Sequence, residues 1–97
     1  MDQTSTTEQR RLAILRHLEA LAQFTSNDAI LADVLRGIGI ATTGDQLRSA
    51  LAWLQEQDLV RLDEKDDFLL VEITGRGAEV ARGEAIVPGI ARPRPRA

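Results

Sequence analysis

Cysteine is absent from the 97 residues, so neither a disulfide nor a thiolate metal site can form, and the chain suits a reducing compartment. Aromatic residues are scarce: Phe24, Trp53 and Phe68 are all there are. The core must then be built from Leu, Ile, Val and Ala, which favours packed helices over a β-sandwich. No apolar run approaches the roughly 20 residues that span a bilayer. Met1 to Glu8 also lacks the basic start and apolar stretch of an export signal. A cytoplasmic protein without membrane association is the expectation.

A strong excess of one charge is missing too. The net charge of −3 argues against indiscriminate nucleic-acid binding, because affinity for phosphate rises with each Lys or Arg placed on it. The distribution is uneven, however. From Arg76 onward there are five Arg and two Glu, against seven basic and thirteen acidic residues before it.

The side chains of an enzyme are lacking as a set. His17 is the single histidine, at the edge of an apolar stripe, with no second histidine or cysteine to share a metal, and it reads as partly exposed surface. Gly75-Arg76-Gly77 is too short for a phosphate loop and is not followed by Lys-Ser/Thr. Asp63, Glu64, Asp66 and Asp67 lack the glycine and ligand spacing of a calcium loop. No catalysis, no cofactor and no metal are expected.

What is present is a succession of amphipathic segments. After a polar leader, residues 1–6, expected to be disordered, Thr6 or Thr7 can cap a helix with a stripe of Ile14, Leu15, Leu18, Leu21 and Ala22. Thr25-Ser26-Asn27-Asp28 is a capping cluster for a second helix, Asp28 to about Arg36, in which Ile30, Leu31, Val34, Leu35 and Ile38 repeat the spacing until Gly37 and Gly39. Thr43 can cap a third helix running to Gln57, with Leu47, Ala50, Leu51 and Leu54 buried. Phe24 is expected to fill the corner between the first two helices, and Trp53 to serve either packing or a dimer contact.

From Asp58 the period changes. Leu59, Val60 and Leu62 read as a strand, residues 63–67 as a charged turn, and residues 68–73 as a returning strand. Thr74 caps a short fourth helix through Ala81, ended by Gly83. Residues 84–97 carry Pro88, Pro93 and Pro95 among Arg92, Arg94 and Arg96, and are expected to be an extended tail outside the domain formed by residues 7–83. The fold expected is mainly α with a small β-hairpin: a three-helix core, a two-stranded wing and a short C-terminal helix.

Leu47-x-x-Ala-Leu-x-x-Leu54, then Gln57-Asp58-Leu59-Val60, then Val71-Glu72-Ile73-Thr74-x-x-Gly77 resembles the helix, wing and Leu-Thr-x-x-Gly segment of MarR-type and ArsR-type regulators over about residues 26–82. The chain also resembles the small winged-helix proteins of Mu-like prophages, with Val87-Pro88-Gly89 and Arg92-Pro93 contributing. The resemblance implies a winged helix-turn-helix, a homodimer, and DNA as partner.

On that footing the third helix is the reading helix. Thr43, Gln46, Arg48, Ser49 and Gln55 are the candidate DNA contacts: Arg48 suits guanine, Gln46 or Gln55 suits adenine, Ser49 reaches base or phosphate, and Ala52 permits close approach. The alternative for Arg48 is a solvated residue pairing with Asp45. Arg92, Arg94 and Arg96, spaced by proline, are candidates for a phosphate track, or else a solubilising end. The acidic tip of the hairpin departs from the family pattern, since its carboxylates repel a DNA backbone. Two functions are therefore carried forward: a DNA-binding regulator or phage-derived DNA-associated factor, and a protein-interaction module of a phage assembly or packaging complex engaging partners through tail or wing.

Overall fold

The computed structural model describes residues 3–93. In chain order these form α1 (Gln3–Ala20), β1 (Thr25–Asn27), α2 (Asp28–Gly37), α3 (Gly44–Glu56), β2 (Val60–Glu64), β3 (Leu69–Ile73) and α4 (Gly75–Ala81). The strands make one antiparallel sheet in the order β1-β3-β2. The architecture is thus a small α+β domain, not helices with a two-stranded ribbon alone. The added strand is β1, whose Ser26 sits opposite Val71 while Leu62 flanks Val71 on the other side.

The strand β1 exists because of the turn before it. Phe24 takes a left-handed backbone, φ 58°, and its carbonyl accepts from Ile73 N at 3.0 Å, which brings Thr25–Asn27 alongside β3. That geometry leaves the Phe24 side chain 46% exposed rather than filling the α1–α2 corner. Asn27 then serves twice, as the last residue of β1 and as the N-cap of α2, its Oδ1 accepting from Ile30 N at 2.9 Å.

The core is aliphatic. Leu12, Ile14, Leu15 and Leu18 of α1, Leu31 and Leu35 of α2, and Leu47, Ala50, Leu51 and Leu54 of α3 meet Leu59, Val60, Val71 and Ile73 from the sheet side. The buried stripe of α2 is narrower than its spacing predicts: Ile30 and Ile38 are exposed and Val34 is half-buried. A ten-residue helix held between α1 and the sheet turns only one narrow edge inward, here Leu31 and Leu35.

Both ends of the domain also differ from expectation. The helix α1 begins at Gln3, since nothing in residues 3–6 breaks a helix and extending an existing one costs little per residue. At the other end residues 84–93 have no regular structure, yet Val87 and Ile90 are buried. Ala91 N donates to Glu8 O at 3.3 Å, and Arg11 Nη1 donates to Gly89 O at 2.9 Å. The spacing of Val87 and Ile90 gives this stretch an apolar side that outweighs its prolines. Arg94 and Arg96 lie outside the described residues.

Trp53 closes this region from α3. Its indole carries the Arg11 guanidinium at 3.9 Å from the ring centroid and meets the chain at Gly89, which gives it a packing role within the domain. Burial lowers the pKa of Arg11, with Glu8 opposing the shift. No helix among the described residues is long and apolar enough to cross a membrane.

Candidate functional site

The third helix is fixed at its start by a reciprocal cap. Thr43 Oγ1 accepts from Gln46 N at 3.1 Å, and Gln46 Oε1 accepts from Thr43 N at 2.9 Å. Two of the candidate DNA contacts are thereby given a structural duty, since both side-chain oxygens are spent on the helix terminus. The connector leading into the cap is held from α1: Arg10, 5% exposed, donates from Nε to Thr42 Oγ1 and from Nη2 to Ala41 O, each at 3.1 Å. A charged side chain this buried is tolerated because its donors are used. Arg10 escapes sequence reasoning, for an arginine in the first turns of a helix reads as surface.

With Leu47, Ala50, Leu51 and Leu54 turned inward, the opposite face of α3 is exposed and carries Asp45, Arg48, Ser49, Ala52, Gln55 and Glu56. Arg48 makes no ion pair among the described residues, so the pairing with Asp45 is not formed. Ser49 and Gln46 also line a recess of about 460 Å³ between α3 and the first turns of α1, with Thr7 and Arg10 opposite. The arrangement offers hydrogen-bond donors and one cation on an accessible helix, between two carboxylates.

The hairpin beside α3 is acidic at its tip. Lys65 pairs with Asp63 at 2.9 Å and Arg61 lies 4.0 Å from Glu72 across the strands, so both cations of the hairpin face carboxylates. Glu64, Asp66 and Asp67 are exposed. The tip end of the hairpin is tied to α2, where Asp28 Oδ1 accepts from Leu69 N, the first residue after the turn, at 3.2 Å.

Arg92 is exposed but lies apart from that recess. It lines a groove with residues of α1 and the end of α2, among them Arg16, His17 and Ile38. His17 is half-buried, and its Nε2 is enclosed without a hydrogen-bond partner among the described residues. At the end of α4, Arg82 bridges Glu84 at 3.0 Å and Glu19 of α1 at 3.4 Å. The hydrogen bond from Arg82 holds the Glu84 carboxyl below the usual carboxylate range. Among the described residues no group of three or more His, Asp or Glu is placed to hold a metal ion.

The segment Thr74-x-x-Gly77 is explained by packing. Thr74 Oγ1 accepts from Gly77 N at 3.0 Å and donates to Asp58 O at 2.7 Å, which locks α4 to the turn after α3. Gly77 stands so near the Leu59 backbone that a β-carbon would fall 2.1 Å from the Leu59 carbonyl oxygen.

No family model matches the chain, and no solved structure does. It is 44% identical over 91 residues to the uncharacterized protein gp26 of Escherichia phage Mu, covering 94% of both chains. It is also 35% identical over 71 residues to an uncharacterized protein of Haemophilus influenzae, covering 72% of this chain and 69% of that one.

Proposed function

We propose that this chain, which belongs to the family of the phage Mu protein gp26, is a winged-helix DNA-binding protein that presents α3 to the major groove. The observation that carries the proposal is the uncovered outer face of α3, held rigidly by the Thr43–Gln46 cap and by Arg10. The element order adds support: α2 followed by α3 is the order of a helix-turn-helix, and β2 followed by β3, joined in the sheet by β1, is the order of a wing. The likeness to MarR-type and ArsR-type regulators rests on the same elements.

Arg48 is the base-reading cation, with Ser49 and Gln55 as polar contacts and Ala52 as the point of close approach. One copy offers few positive charges, so the protein acts as a homodimer that sets two copies of α3 about one helical turn of DNA apart. The wing stands off the backbone because its carboxylates repel phosphate. Arg92, with Arg94 and Arg96, adds phosphate contacts that raise affinity without reading sequence. The protein is a phage-related regulator or DNA-associated factor and carries out no reaction.

The test is fluorescence anisotropy with the full chain on random DNA and on DNA from the host element, at low and moderate salt. Binding that weakens with salt and falls about tenfold with Arg48→Ala is expected, a change equivalent to roughly 1.4 kcal/mol. Absence of binding at low salt overturns the proposal. That outcome favours the second reading, a protein-interaction module of phage assembly, which draws on the exposed acidic residues of the wing.

A further inference from the structure

The groove that Arg92 borders runs between α1 and the end of α2 and measures about 950 Å³. Its apolar lining includes Val34, Ile38 and Ile40, and Ile38 is 58% exposed there. Its polar margin includes Arg16, His17 and Arg92, and no Asp or Glu lines it, in a chain with fifteen acidic residues against twelve Lys and Arg. An apolar floor whose margin carries arginines and no carboxylate, in an acidic protein, selects a partner of the opposite pattern. The lining along α1 extends from Thr6 to His17, which at the rise of a helix is about 16 Å, or about three turns.

We propose that this groove docks an amphipathic helix of a partner protein, about three turns long, with apolar residues at i, i+3 or i+4, and i+7 and carboxylates on either side of them. The apolar side covers Val34, Ile38 and Ile40, and the carboxylates meet Arg16 and Arg92. A second copy seated symmetrically is a poor occupant: a two-fold contact sets groove on groove and brings Arg16 and Arg92 toward their own duplicates. The groove includes no residue of α3, and of the residues proposed to meet DNA it shares only Arg92, so docking does not require the α3 surface.

The experiment measures anisotropy of a fluorescein-labelled 15-residue helical peptide with Leu at the three anchor positions and Glu beside them, titrated with the full chain. Its controls are the same peptide with Lys for every Glu and a scrambled peptide of identical composition. Saturable binding near roughly 100 µM is expected for the Glu peptide, at least about tenfold weaker for both controls. Ile38→Asp and Arg16→Glu each weaken it at least about tenfold, with thermal unfolding followed by circular dichroism unchanged, as both side chains are exposed. If either variant unfolds, Arg92→Glu is read in its place. No saturation up to about 1 mM, equal binding of the scrambled peptide, or indifference to these substitutions overturns the proposal. So does light scattering that finds a dimer which Ile38→Asp dissociates, because the occupant is then a second copy.

Discussion

A β-carbon on Gly89 would stand 2.6 Å from Cζ2 of Trp53, so the chain at Gly89 rests directly on the indole. Its φ of +100° is one that other residues adopt only under strain. Gly89→Ala therefore meets both a steric and a backbone penalty, and a loss of about 2–4 kcal/mol is expected. Urea unfolding checks it, and because Trp53 is the single tryptophan its emission reports this contact directly.

At Arg10 the asymmetry of hydrogen-bond deletion can be measured. Thr42→Val leaves the buried Nε of Arg10 without its acceptor, whereas Arg10→Met removes the donors and keeps an apolar stem. Each is expected to cost about 1–3 kcal/mol, with Thr42→Val no milder than Arg10→Met, although it deletes one bond rather than two. Thermal unfolding of the two variants side by side decides the order.

Gln46 separates capping from recognition. Gln46→Glu retains an acceptor for Thr43 N and a favourable charge at the start of α3, so stability should stay within about 0.5 kcal/mol, while Gln46→Ala loses about 1 kcal/mol. On DNA the order reverses: the added carboxylate weakens binding more than the alanine does. Equal DNA affinity for both variants would remove Gln46 from the interface.

Gly77→Ala is expected to be the most damaging single methyl. The neighbour at 2.1 Å is the Leu59 carbonyl, which accepts from Thr74 N at 3.0 Å and cannot retreat without opening that bond; Ile73 Cγ1 follows at 2.7 Å. A loss of about 3 kcal/mol or more, or failure to fold, is anticipated, while Gly75→Ala, with open space around it, changes little. Expression and melting temperature of the pair provide the comparison.

How much of this was legible in the sequence depended on the length of each signal. The α3 stripe, Leu47 to Leu54, and the Thr74 cap were readable because several residues repeat one spacing or one motif. The strand β1 was not: three polar residues carry no period, and Thr25–Asn27 also read as caps, which Asn27 is. Its pairing is dictated by Phe24 and Ile73, 49 positions apart. Val87 and Ile90 are masked by the prolines around them, and two apolar residues three apart are too short a signal to mark a packed turn. The exposed face of α3 followed from its buried one, whereas the groove at Ile38 did not, because the α2 spacing points to burial that α1 and the sheet do not provide.

The middle place of β3 in the sheet sets an order on biosynthesis. Thr25–Asn27 leaves the ribosome long before Leu70, Val71 and Glu72, the residues it pairs with. Until then β1 has exposed backbone groups and no neighbour, and β2 is in the same position. Nascent chains halted before residue 69 are accordingly expected to hold helical segments without a sheet, and the domain closes in one late step once β3 has emerged.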